Sequence, residues 1–251
     1  MPTLDPFEML AGTNANELRC WILDVGGLLP YKLLGHILFG YTEKQLSRQD
    51  RQRAEAFLRM QAEKGLRGRL WQITEFFNEL LFRLPAIRQG EEHAAHGNQV
   101  FLYYWNYPSS LPNLKACHAV ELAYVFNNLH ETIYTGSGAN KTLAEQVQRM
   151  WVNFAKTGNP SIDGEGMLWK PYSRTSRNIM ILDDPIHLEK DWKERERECL
   201  SPLLTYHFNG NSNVPPINFK SILQAVATTT GARVVALLHR LFHKDRPNGG
   251  H

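Results

Sequence analysis

Between Gln99 and Asn106 the chain reads Gln-Val-Phe-Leu-Tyr-Tyr-Trp-Asn, eight residues dominated by β-branched and aromatic side chains and stopped by Pro108. A run of that composition is a strand. Two weaker runs read the same way. Phe7–Thr13 is apolar and breaks at Gly12, and Asn178–Leu182 is stopped by Asp183, Asp184 and Pro185. Between the strands the period changes. Leu143, Val147, Met150, Trp151 and Phe154 share one helical face, with Lys156 in the last turn, Gly158 at the stop and Pro160 beyond. Each of those three residues stands where helix-end physics prefers it.

Thr42 to about Leu84 is also helical in pattern. Ala56, Phe57 and Met60 mark one face, and Leu70, Ile73, Phe76, Phe77, Leu80 and Leu81 a second. Residues 14–40 mix Gly26, Gly27, Gly35 and Gly40 with Leu and Trp, and are expected to be loop with short helical pieces. A mixed-charge helix is expected near Glu189–Leu200. Strands alternating with helices predict an α/β architecture. Three legible strands in 251 residues are few for a self-contained doubly wound domain, so the sheet is expected to be incomplete and the chain helix-rich.

The formal charge of +3 has a local origin: Arg233, Arg240, Lys244 and Arg246 against Asp245 account for all of it. Residues 1–232 are balanced, which removes support for a nucleic-acid surface on the main body. No apolar run reaches the ~18 residues of a spanning helix. The start, Met-Pro-Thr-Leu-Asp-Pro, has neither the basic nor the apolar region of a secretory signal. Three cysteines, Cys20, Cys117 and Cys199, are too few for a disulfide scaffold, so a reducing, cytoplasmic setting is expected.

Most of the ten histidines have plain readings. His93 and His96, three apart, share a helix face without a nearby Cys partner, and are read as a solvated helix end rather than a metal pair. His239 and His243, on the polar side of the tail, are read likewise. His118 differs, because it follows the strongest strand by a dozen residues. A loop beyond a strand end is where a general base is commonly held; capping and core-edge roles compete with that reading.

The segment His118-Ala119-Val120-Glu121-Leu122-Ala123-Tyr124-Val125-Phe126 resembles the histidine segment of the type-B carboxylesterase and cholinesterase family of α/β-hydrolases. Three more segments resemble that family, in its order: Leu10-Ala11-Gly12-Thr13-Asn14-Ala15-Asn16-Glu17, Arg83-Leu84-Pro85-Ala86-Ile87-Arg88, and Trp151 to Pro160. The likeness covers about residues 4–208 and is confined to the family's C-terminal half. It implies Glu17 as the acid and His118 as the base of a Ser-Glu-His triad acting on a small-molecule carboxylic ester, with no metal or organic cofactor. In such a triad the carboxylate fixes the imidazole tautomer and the imidazole takes the serine proton. Trp21 falls where family members line the acyl or alcohol pocket, and a plain hydrophobic anchor fits that position equally.

The sequence departs from the family pattern in two ways. Asn16 and Leu18 flank Glu17, where an acidic residue and a glycine are usual. No Gly-x-Ser-x-Gly elbow occurs; Gly136-Ser137-Gly138 has the wrong spacing, and Gly26-Gly27 follows Glu17 instead of preceding a nucleophile. The nucleophile and oxyanion donors are therefore expected from elsewhere, for example a separately encoded N-terminal half, and the chain is expected to be inactive alone. The competing reading is a non-catalytic interaction module.

Three regions follow: residues 1–210 as the hydrolase part, a Pro-containing linker at 211–217 and a basic amphipathic tail helix at 218–251. Ile222, Leu223, Val226, Val234, Val235, Leu237, Leu238, Leu241 and Phe242 form the tail's apolar stripe. Such a helix binds a partner or a membrane surface, or packs on its own domain.

Overall fold

The structure, a computed structural model, describes residues 7–130, 132–162 and 167–205. The linker and tail helix expected at 211–217 and 218–251 lie outside the described residues.

Four strands form one sheet in the order β1 (Met9–Asn14), β2 (Val100–Trp105), β3 (Asn178–Leu182) and β4 (His187–Lys190). The first three run parallel and β4 returns antiparallel, pairing Ile181 with His187. In β2 the side chains alternate between two covered faces, which is why its sequence is apolar throughout. Phe101 and Tyr103 meet Phe154 and Trp151 of α7 (Lys141–Thr157), with ring centroids 6.2 and 5.1 Å apart. On the opposite face, Leu102 packs on Gly90 of α5 (Leu84–Ala95), and Tyr104 on Trp192. Gly90 lets helix and strand approach closely, since a Cβ there would come within 3.2 Å of the Leu102 side chain.

The helical region of 42–84 divides where the chain permits. α3 (Arg48–Glu63) starts at Ser47, whose hydroxyl accepts the Asp50 N–H as an N-cap. It ends before Gly65 and Gly68, at φ 87° and 91°. α4 (Arg69–Asn78) then runs through a π turn at Glu79–Arg83 directly into α5. After the one-turn helix α6 (Leu122–Val125), the helix expected around Phe154 is α7, with Asn140 as N-cap and Gly158 closing it at φ 75°.

Two segments depart from expectation. After a short α1 (Trp21–Asp24), residues expected to be mainly loop form the 18-residue α2 (Leu28–Gln45). Its leucines surround the axis instead of forming one stripe, so no helical period shows, and Gly35 serves a close approach to Leu70 of α4 rather than a break. The second departure is at Glu189–Leu200. There the chain forms the edge strand β4 before the shorter helix α8 (Glu194–Leu200). His-Leu-Glu-Lys on an exposed edge carries no hydrophobic alternation to reveal a strand.

Among the described residues no helix is long and apolar enough to cross a membrane.

Candidate active site

Glu17 and His118 are 101 residues apart in sequence, and strand direction brings them together. β1 and β2 are parallel neighbours that end side by side, Asn14 opposite Trp105. The loops leaving them therefore emerge at one edge of the sheet, the edge where open α/β sheets carry their sites. Backbone bonds then join the two loops. Ala15 N–H donates to Trp105 O (2.9 Å), Asn16 N–H to Ala116 O (2.8 Å), and His118 N–H to Glu17 O (3.1 Å).

Glu17 opens a one-turn 3-10 helix, Glu17–Cys20, and is buried. Its Oε1 accepts the Asn14 N–H at 2.6 Å, and its Oε2 lies 2.7 Å from Nδ1 of His118. A carboxylate only accepts, so Nδ1 bears the proton and Nε2 holds a lone pair. The Glu17 bond raises the imidazole pKa above its ordinary value; partial burial opposes the rise, and the charges of Glu17 and Glu121 add to it. The His118 side chain is 59% exposed, whereas that of Glu17 is 5% exposed. One group is anchored and the other presented.

Both residues line a cleft of about 650 Å³, together with Gly12, Thr13, Asn14, Phe82, Arg88, Glu92 and Glu121. The Phe82 ring stands 5.9 Å from the His118 ring. Ala119, next to His118, has φ 65°, a left-handed backbone that costs an L-residue ~1–2 kcal/mol. It turns the chain sharply so that Glu121 also reaches the cleft.

Asn14 and Glu121 were not singled out by sequence reasoning. Asn14 Nδ2 donates to Cys117 O at 2.7 Å and to Oε2 of Glu121. Burial raises the Glu121 carboxyl above the ordinary range, with the Asn14 hydrogen bond opposing. The available signal was the spacing of three between His118 and Glu121 within the histidine segment.

Trp21 does not line the cleft. It is half-buried beside Ile22, Tyr31 and Leu70, on the side of α2 and α4. Cys20 and Cys117 are free thiols, both buried, and burial pushes them up to about 11 and about 12. His93 and His96 bond to the carbonyls of Phe7 and Glu92, and no cluster of three metal-ligating side chains exists among the described residues.

Three parallel strands with helices packed on both faces form part of an α/β-hydrolase fold, and solved structures share that fold. A para-nitrobenzyl esterase superposes with a TM-score of 0.56 at 28% identity, over 76% of this chain and 37% of its own. The carboxylesterase EST55 of Geobacillus stearothermophilus superposes at 0.57 and 22% identity, over 76% and 40%.

The carboxylesterase family profile matches residues 32–200, and the chain belongs to that family. The para-nitrobenzyl esterase of Bacillus subtilis (strain 168) is 36% identical over 129 residues, 49% of this chain and 26% of that protein. Carboxylesterase 5A of Felis catus is 31% identical over 136 residues, 49% and 24% respectively. The chain spans about a quarter of the length of these curated relatives.

Proposed function

We propose that this chain supplies the acid, Glu17, and the base, His118, of a Ser-Glu-His relay that hydrolyses carboxylic esters through an acyl-enzyme. The observation that carries the reading is the 2.7 Å contact between Glu17 Oε2 and His118 Nδ1, with the ring exposed at a cleft. In this role Nε2 takes the serine proton as the hydroxyl attacks the ester carbonyl, and Glu17 stabilises the imidazolium that forms. Nε2 then returns the proton to the leaving alkoxide, and water repeats the sequence on the acyl-enzyme. Membership of the carboxylesterase family supports this chemistry.

The serine and its oxyanion donors come from a segment outside these 251 residues, since the sequence holds no Gly-x-Ser-x-Gly. A His-Glu pair acting on water alone supplies only ~10²–10⁴-fold. Absent oxyanion donors cost a further ~10²–10³-fold. The purified chain is therefore expected neither to hydrolyse activated aryl esters above a His118→Ala control nor to label with a fluorophosphonate. A separately expressed N-terminal half bearing the serine elbow is expected to restore both. Stoichiometric labelling of a serine in the chain alone, abolished by His118→Ala, would overturn the divided-site reading. Restored hydrolysis that is indifferent to His118→Ala would overturn the role of the base.

A further inference from the structure

We propose that Asn78 is a positioning residue for the Glu17–His118 pair, its carboxamide clamping the backbone on both sides of Glu17. The inference rests on the reading of that pair as acid and base, and its geometry stands on separate contacts.

Asn78 is the last residue of α4 and is 4% exposed. Its Oδ1 accepts the Leu18 N–H at 3.1 Å, and its Nδ2 donates to Ala15 O at 3.4 Å. The residues it holds are therefore the one directly after Glu17 and the one two before it. The same Nδ2 donates to Oε2 of Glu75 at 3.1 Å. That third bond decides which way the amide points. A carboxylate only accepts, so Glu75 draws the NH2 end and leaves Oδ1 facing Leu18. Glu75 is itself tied down by Lys193 Nζ.

The clamp answers a need created by the local fold. The 3-10 turn Glu17–Cys20 has no side-chain cap of its own. The first N–H groups of a helical turn have no partner within it. Asn16 N–H finds Ala116 O, while Arg19 N–H finds Asn16 O. Leu18 N–H, on a residue 5% exposed, finds only Asn78 among the described residues. Without the carboxamide a buried donor is orphaned, and the turn must move to hydrate it. Glu17 heads that turn, so its carboxylate moves as well.

The consequence is readable in His118, because the charges facing the imidazole all survive the substitution of Asn78. They are Glu17 on the 3-10 turn, Glu121 on its own segment, and Arg88 and Glu92 of α5 across the cleft. Asn78 carries no charge and does not line the cleft, so a fall in His118 titration on its removal is expected to follow from a displaced Glu17, whose hydrogen bond is the largest influence raising the imidazole.

The experiment is proton NMR on the full chain, following the His118 ring titration and its Nδ1 proton. In the unaltered protein the Nδ1 proton is expected far downfield. Asn78→Ala is expected to lower the His118 titration midpoint toward that of a free imidazole and to lose the downfield signal. The other histidines and the far-ultraviolet dichroism are expected to stay as they were. A folded Asn78→Ala chain with His118 unchanged on both counts overturns the proposal. Should that variant not fold, amide exchange in the unaltered chain decides. Leu18 N–H is expected to be strongly protected, and exchange at the rate of an open loop amide overturns the clamp. Failure of the ester-hydrolysis reading shows separately, as reconstituted activity that ignores His118→Ala while the titration result holds.

Discussion

Glu17 and His118 meet twice: the His118 N–H donates to the Glu17 carbonyl at 3.1 Å, and the ring Nδ1 lies 2.7 Å from Oε2 of the same residue. The backbone contact fixes where the histidine enters the loop, and the side-chain contact fixes how the ring is turned. Two bonds between one pair leave the imidazole little freedom except to present Nε2 outward.

This pairing has a pH signature. Glu17 raises the His118 pKa above the ordinary 6.5, so the folded chain holds the proton more tightly than the unfolded one. The stability gained is complete below about 6.5 and is lost as pH rises through the higher folded value. Solvent screening at a 59% exposed side chain keeps the increment under about 1 kcal/mol. Urea denaturation between pH 5 and pH 9 is expected to show this loss in the unaltered chain and not in Glu17→Gln. Parallel slopes for the two would refute it.

Gly12 lies opposite Tyr103 in the β1–β2 register, and the ring covers the glycine so closely that a Cβ would fall 2.3 Å from Cγ. Gly12→Ala must push the ring off Trp151, on which it packs. Overpacking of this kind costs ~1–3 kcal/mol. Denaturant midpoints are expected to drop accordingly, and Tyr103→Ala in the same chain is expected to recover part of the loss. Additive losses would show that the ring and the glycine do not compete for the same space.

The elements that sequence made legible are those whose side chains meet their surroundings in a regular period. β2 is covered on both faces and reads as a strand from composition alone; α7 shows its stripe, its cap and its Gly158 stop. α2 was hidden because apolar residues surround it, and β4 because an edge strand needs no apolar face. The site divides the same way. Glu17 and His118 were found through segments that resemble a family. Asn14, Asn78 and Glu121 act through hydrogen bonds across loops 60 to 107 residues apart, and no local spacing encodes such bonds.

Arg83 is a second test of how the site edge is supported. Its Nε meets Glu79 Oε2 at 2.6 Å, and its two terminal nitrogens donate to the carbonyls of Trp192 and Lys193. Burial opposes ionisation of Glu79, yet Arg83 and Lys193 together hold its carboxyl below the ordinary range. Both side chains of the pair are 5% exposed or less. Removing one partner of a buried pair typically costs ~3–5 kcal/mol, since the other charge is left uncompensated. Arg83→Met is expected to fall in that range by equilibrium unfolding, with Arg83→Met/Glu79→Leu less destabilised than the single variant. A loss below about 1 kcal/mol for Arg83→Met would mean that Lys193 alone suffices for Glu79.

Glu121 carries the opposite kind of burden. Burial raises its carboxyl above the ordinary 4.5, the Asn14 amide offsets only part of this, and the nearby Glu17 adds to it. A raised folded pKa means that the folded state binds the proton more tightly than the unfolded state. The associated stability is present below about 4.5 and disappears as pH rises through the folded value. Glu121→Gln cannot ionise, and its side-chain oxygen still accepts from Asn14. The variant is therefore expected to gain on the unaltered chain as pH rises from 4 to 8, measured as the difference in urea midpoints. Because the Glu121 charge also favours the protonated imidazole, the same substitution is expected to lower the His118 titration midpoint. A stability difference that is flat with pH would show that Glu121 ionises in the fold as freely as in the unfolded chain.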